Sequence, residues 1–214
     1  AESKALIAAF GIQTPRELIA RDADAAVAAA AEIGGAVVLK VLAADVPHKT
    51  EAGGVALNLR TPSEVRLAYA RIMASVREYK PDAAIEGVLV GEHVSAVVEM
   101  IAGVTVDPHF GPVVVAGLGG VLVEVIKDVA MRLPPFDKAE ALGMLDELRG
   151  RSVLNGVRGR PAADVDALAD ALVRLGDMAV AMQDRLVELD LNPLFVLPAG
   201  QGVRAADALV VLKA

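Results

Sequence analysis

The sequence predicts an α+β fold, and two observations carry that prediction. Strand-like runs come in clusters separated by helices, which favours segregated layers over a doubly wound sheet. The carboxyl end then closes on two strand runs joined by a Pro198–Gly202 turn, the pattern of a hairpin. With 214 residues and 55% hydrophobic content, the chain can bury a full core.

Each element has its own signal. Residues 3–10 and 24–33 are alanine-rich helices, the second stopped by Gly34 and Gly35. The run 36–41 is short, apolar and β-branched, like a strand covered on both faces, and a second strand follows at 54–59. Thr61-Pro62-Ser63-Glu64 is a capping box with proline at the first helical position. The helix it opens carries Val65, Tyr69, Ile72 and Val76 at helical spacing and ends before Pro81. Strands are expected near 85–92, 97–106, 112–117, 121–126 and 129–133. Helices follow at about 137–148, with Asp137 and Glu140 at its start, and 164–182, with Val165, Leu168, Leu172, Leu175, Ala179 and Met182 on one stripe. Strands 186–197 and 203–212 finish the chain. The segment 91–97 is the candidate hinge between two lobes.

Composition narrows the function classes. A formal net charge of −7 argues against a nucleic-acid or anionic-membrane surface. There is no cysteine, hence no disulfide framework, thiolate zinc site or cysteine nucleophile. That absence is compatible with the cytosol, and a cytoplasmic protein is expected. No apolar run approaches the roughly 18 to 20 residues of a membrane span. The opening "AESKALIAAF" has no basic region before an apolar core, so it does not read as a signal peptide. It begins abruptly, without methionine, as a piece of a longer chain or a processed subunit would.

The stretch from Val37 to Leu59 holds the clearest chemistry. Lys40 lies inside an apolar run, which is costly unless its ammonium meets an anion. His48 and Lys49 follow, then Gly53 and Gly54, which let backbone approach a ligand closely. A neutral imidazole accepts a phosphoryl group and a nearby cation steadies it, although a lone loop histidine is more often an exposed bystander. His93 and His109 are read as structural.

At the other end, "ELDLNPLF" places Glu188, Asp190 and Asn192 on one strand face and Leu189 and Leu191 on the other. Hard oxygen groups of this kind suit Mg²⁺. A turn near Gly200 pairs positions whose numbers total about 400, bringing Asp207 opposite Asn192 within about one register step. A plain solvated strand face fits the same alternation. Gly117, Gly119 and Gly120 match neither a Walker loop nor a dinucleotide fingerprint. Arg132 ends an otherwise apolar strand, a common place for a phosphate-binding guanidinium; pairing with Asp128 or Glu124 is the equal alternative. Glu92 and Glu99 flank the hinge, where they can bond ribose hydroxyls or face solvent.

The segments "VVLKVLAADVPHKTEAGGVALNL", "DPHFGPVVVAGLGGVLVEVIKDVAMRL" and "ELDLNPLFV", with "DALVVL" after them, resemble the ATP-grasp domain of ADP-forming acyl-CoA synthetases, relatives of the succinyl-CoA synthetase β subunit. The resemblance runs over essentially the whole chain in motif order. It implies an ATP-grasp fold of two α+β lobes with the nucleotide site between them: 1–91 as the N-terminal lobe with the His48 loop, 92–214 as the C-terminal lobe with the Mg/ATP site. The implied reaction joins acid and CoA at the expense of ATP, giving acyl-CoA, ADP and phosphate through acyl phosphate and phosphohistidine. By the same resemblance, Lys40 is the nucleotide-phosphate lysine, with Gly53 and Gly54 beside it. Glu92 lies in the adenine-lining segment, Glu99 is the ribose-side glutamate, and Arg132 is a further phosphate candidate. Asn192 and Asp207 are the magnesium ligands, Asp190 is the acidic residue two before the asparagine, and His48 is the phosphoryl relay. Two positions depart from the family: Gly91 stands where glutamine is usual and Val106 where an Arg or Lys is usual. ATP/ADP and Mg²⁺ are the implied cofactors. CoA-binding and phosphohistidine-bearing domains, absent from this stretch, are the implied partners, so the chain is expected to be an incomplete acid–thiol ligase. The alternative is a catalytically incomplete regulatory or assembly module.

Overall fold

The computed structural model describes residues 2–46, 48–120, 128–156 and 159–213. The strand expected at 121–126 lies outside them. The chain forms two compact units, Pro15–Val94 and Ser95–Ala214 together with Ala1–Thr14. The boundary expected from sequence lies between residues 91 and 92, with the first helix in the N-terminal lobe. That helix, α1 (Glu2–Ala9), instead docks in the larger unit: Lys4 Nζ donates to the Ala206 carbonyl at 2.6 Å, and Ser3 Oγ accepts from Val210 N–H at 3.2 Å.

The smaller unit is an antiparallel sheet of β1 (Glu17–Ala20), β4 (Gly87–Glu92), β2 (Val37–Leu42) and β3 (Val55–Leu59), in that order across the sheet, with α2 (Ala23–Ile33) and α3 (Pro62–Tyr79) packed on it. β1 had no counterpart in the sequence reading. Val37, Leu39 and Val41 are buried in the core with Val88, Val90, Ile72 and Val76, whereas Val38, Lys40 and Leu42 alternate onto a half-buried face. β2 is therefore covered fully on one face only, as antiparallel sheets allow. The capping box at α3 forms as expected: Thr61 Oγ1 accepts from Glu64 N–H at 3.2 Å, and Glu64 Oε2 accepts from Thr61 N–H at 2.9 Å.

The larger unit is a six-stranded antiparallel sheet. Its path runs β10 (Leu209–Leu212), β8 (Leu186–Val196), β5 (Val98–Asp107), β6 (Gly111–Leu118), β7 (Val129–Arg132), and β9 (Val203–Ala205) also pairs with β8. One face is buried under α4 (Lys138–Asp146) and α5 (Val165–Ala181). Leu168, Leu172, Leu175 and Ala179 of α5 meet Met100, Ala102, Val104, Leu189 and Leu191 there. The stripe read from sequence is the buried face of α5, and each fully buried leucine contributes about 1.5–3 kcal/mol.

The final strand was expected to be continuous over 203–212, but it breaks into β9 and β10 at residues 206–208. The cause lies on β8. The β5–β8 register shifts between Met100 and Ala102, so Asn192 and Pro193 together oppose the single residue Ile101. Such a bulge leaves a residue unpaired, and Pro193 has no N–H for the ladder. Pro193 uses only its carbonyl, which accepts from Ala206 N–H at 3.0 Å.

Candidate functional site

The larger unit gathers one set of candidate residues on the sheet face opposite the helices. Leu189 and Leu191 are buried, while Glu188 and Asn192 are exposed and Asp190 half-buried, the alternation expected from sequence. Leu194 pairs with Ala205 and Asp190 with Leu209. Those pairs bracket the strand break and keep one register across it, so Asp207 falls opposite Asn192. Asp207 is exposed and its Oδ1 accepts from Ala208 N–H at 2.9 Å.

Asp190 pairs with Gly103 on its other side. Gly103, Thr105, Glu188 and Asp190 line a shallow depression of about 160 Å³. Burial, then the neighbouring carboxylates of Glu188 and Asp207, push the Asp190 carboxyl above the usual range. Clustered acidity of this kind is relieved by a cation. Among the described residues no group of three or more His, Cys, Asp or Glu stands together as a metal site. The Asn192 amide and the Asp207 carboxylate are nonetheless a hard oxygen pair. That fits Mg²⁺, which typically takes one or two protein ligands and completes its shell with phosphate oxygens and water. Glu99 is exposed on the same face, paired with Phe195 and two residues along β5 from the residue that faces the bulge.

Arg132 belongs elsewhere. Its Nε donates to Glu140 Oε1 at 2.5 Å, its Nη2 to Glu147 Oε1 at 2.5 Å, and its Nη1 to Glu147 Oε2 at 3.1 Å. These carboxylates, Glu147 first, push the guanidinium's pKa up. Arg132 therefore ties β7 to α4 with its charge already matched, which gives no support to a phosphate role. Asp128, a partner considered from sequence, caps Arg149 N–H and Gly150 N–H at 2.9 and 2.8 Å instead.

The smaller unit holds the second set. Lys40 sits mid-strand between Val55 on β3 and Leu89 on β4. Glu92 pairs with Val37 and so has the opposite facing from Lys40; the two do not converge on one face. His48 is exposed, and its carbonyl accepts from Ala52 N–H at 3.1 Å. The loop that carries it is pinned on both sides by the buried Val46 and Ala52. Asp45 adds a polar anchor. Lys80 Nζ lies 2.6 Å from its carboxylate, and Ala84 N–H donates to it at 3.2 Å. The Lys80 ammonium holds the Asp45 carboxyl below the usual range. The sequence carries only a faint signal for these anchors, an apolar residue two before and one four after the histidine.

The glycines of the loop have internal reasons to be glycine. A Cβ on Gly53 would sit 2.8 Å from Ser75 Cβ, at a φ of +66°. One on Gly54 would sit 2.6 Å from Val41 Cγ1 and 3.0 Å from the Lys49 carbonyl oxygen. The close approach inferred from sequence is to the protein's own α3, β2 and loop.

A family model described as an ATP-grasp domain matches residues 1–212. The chain is 37% identical over 212 residues to the β subunit of acetate–CoA ligase (ADP-forming) II from Pyrococcus furiosus, covering 99% of this chain and 90% of that one. It is 45% identical to a trans-feruloyl-CoA synthase of an unknown prokaryotic organism, but spans only 30% of that protein's length. Among solved structures, acetyl-coenzyme A synthetase 1 of Ca. Korarchaeum cryptofilum, in complex with coenzyme A, Ca-AMPCP and HgCl⁺, matches with a TM-score of 0.91 at 40% identity. That match covers 99% of this chain and 91% of the other. A Mg-AMPPCP complex of that synthetase, its phosphohistidine segment pointing towards the nucleotide binding site, matches with a TM-score of 0.84 at 37% identity, covering 99% of this chain and 91% of the other. The chain belongs to the ATP-grasp family, and its fold is the ATP-grasp α+β fold expected from the sequence. Its counterparts over nearly their full length are β subunits of ADP-forming acetate–CoA ligases.

Proposed function

We propose that this chain is the nucleotide-binding part of an ADP-forming acyl-CoA synthetase, which joins an acid to CoA while ATP becomes ADP and phosphate. The observation that carries the reading is the opposition of Asp207 and Asn192, with Asp190 beside them, in a chain matched end to end by ligase β subunits. In this reading Asn192 and Asp207 hold a divalent cation, Mg²⁺, that arrives with ATP or ADP. When bound, the cation neutralises phosphate charge, much of what phosphoryl transfer requires.

The chain's own side chains do the rest. Lys40 brings a cation to the polyphosphate, and Glu99 accepts from ribose hydroxyls. Asp190, when ionised, deepens the negative field of the pair. His48 is the phosphoryl acceptor. A lone pair on its neutral imidazole attacks the terminal phosphorus of ATP, the bond from that phosphorus to the bridging oxygen breaks, ADP leaves, and an N–P bond forms. The phosphoryl group then passes to a histidine on CoA-binding partner domains, through which CoA and the acid enter. Glu92, on the face opposite Lys40, stays with the adenine end of the nucleotide, and Arg132, already paired with Glu140 and Glu147, is left out of the phosphate contacts. A cytoplasmic location accords with such a reaction.

The test is incubation with γ-labelled ATP and Mg²⁺, with and without the partner domains. Acid-labile label on the chain that disappears in His48→Asn is expected. Good Mg-ATP binding with no such label under any partner condition would sink the relay.

A further inference from the structure

Asp164 is the one charged residue that is buried among the described residues, with 8% of its surface exposed. It caps α5 with Oδ1, which accepts from Ala167 N–H at 3.1 Å. Its other oxygen, Oδ2, accepts from Gly202 N–H at 2.8 Å, and its own N–H donates to the Leu197 carbonyl at 2.8 Å. Leu197 follows β8 and Gly202 precedes β9. These two are themselves joined, Leu197 N–H donating to the Gly202 carbonyl at 3.1 Å. One residue at the start of a helix thus holds both stems of the turn between the strands.

Capping alone does not explain a buried carboxylate here. A serine caps a helix about as well with one oxygen and no charge to bury. The second oxygen is used on the hairpin. Turn geometry sets hairpin register, and a slip of one residue would send every following side chain to the other face. The register that starts at Val196 and Val203 continues through Leu194 and Ala205 to Asp190 and Leu209. It is the register in which Asp207 meets Asn192.

We infer that Asp164 is a positioning residue: by clamping the 197–202 turn to α5 it holds the register that brings Asp207 opposite Asn192, and so sets the affinity of that pair for a divalent cation. This rests on the reading of Asn192 and Asp207 as cation ligands. The residue touches neither cation nor nucleotide. Its influence passes through the β8–β9 pairs Val196–Val203, Phe195–Arg204 and Leu194–Ala205.

The test uses Mn²⁺ as a paramagnetic probe, with ADP, following the free-ion resonance by electron spin resonance alongside thermal melting. Asp164→Asn and Asp164→Ser are compared with wild type and with Asp207→Ala. Serine preserves the cap but has no second oxygen for Gly202, so a folded variant lacking only the clamp is available. Both Asp164 variants are expected to bind Mn²⁺ with ADP about tenfold more weakly, the usual size of a support-residue effect on a metal, while metal-free ADP binding is unchanged. A folded Asp164→Ser that binds Mn²⁺ like wild type overturns the clamp. So does a parallel loss of ADP binding with and without Mn²⁺, which marks a merely structural role. If Asp207→Ala also leaves Mn²⁺ binding unchanged, the cation reading itself has failed, and that control tells the two failures apart.

Discussion

Asp207 falls opposite Asn192 in the hairpin register, at the point where the Asn192–Pro193 bulge interrupts the last strand. Replacing the amide with a second carboxylate tests the pair. In Asn192→Asp the cation-free chain is expected to melt lower than wild type from like-charge repulsion, and to gain more on adding Mg²⁺. Melting curves across a Mg²⁺ titration check both signs.

Asp190 is strained electrostatically in the absence of a cation. Burial, then Glu188 and Asp207, raise its pKa, so the ionised form is disfavoured in the folded state. The cost is absent below the ordinary aspartate value of about 3.9 and grows as pH rises above it. Asp190→Asn is therefore expected to stabilise the cation-free chain at pH 7 and to have little effect near pH 3. Urea midpoints at the two pH values measure the difference. The gain is expected to come with weaker cation binding, as at sites where charge is held for function.

Asp164 behaves in the opposite way. Burial alone would raise its pKa, but the N–H groups of Gly202, Ala167 and Gly200, aided by Lys138, more than offset this and hold it below the usual range. Its stabilisation is present above about pH 4 and is lost as pH falls through its lower folded value. Asp164→Ala is expected to cost about 2 kcal/mol at pH 7, from the lost cap and the lost hairpin bonds. The wild type–variant gap in urea midpoint should shrink as the pH is taken towards 2.

How much of this was legible in sequence depended on how local the cause was. The capping box Thr61–Glu64, the α5 stripe and the Asp190–Asn192 alternation are set by neighbours within one turn or strand, and all three stand in the structure. The Asp207–Asn192 opposition was also readable, because a short turn transmits register over a hairpin. Arg132 was not, because its partners Glu140 and Glu147 come from a helix that follows its strand and packs back on it. Asp164 was hidden for a similar reason. Its cap role has a local signature, an aspartate before an amphipathic run, but its bond to Gly202 spans 38 residues.

The glycines beside His48 carry a stability prediction. Gly53→Ala must accept a φ of +66° and a Cβ 2.8 Å from Ser75 Cβ, and Gly54→Ala meets Val41 and a carbonyl. Each is expected to destabilise by at least about 1 kcal/mol. Ser75→Ala should not rescue Gly53→Ala, since the contact is with Cβ, whereas Val41→Ala should partly relieve Gly54→Ala. Denaturant unfolding of the single and double variants decides it.

The central claim, that this ATP-grasp chain binds a nucleotide whose cation is held by Asn192 and Asp207, is tested most directly by calorimetric titration with ADP, with and without Mg²⁺. The account predicts Mg²⁺-enhanced binding to the wild type, loss of the enhancement in Asp207→Ala and Asn192→Ala, and weaker binding with or without Mg²⁺ in Lys40→Met. Failure of the folded wild type to bind at millimolar ADP, or an Mg²⁺ enhancement that survives both Asn192→Ala and Asp207→Ala, would contradict it.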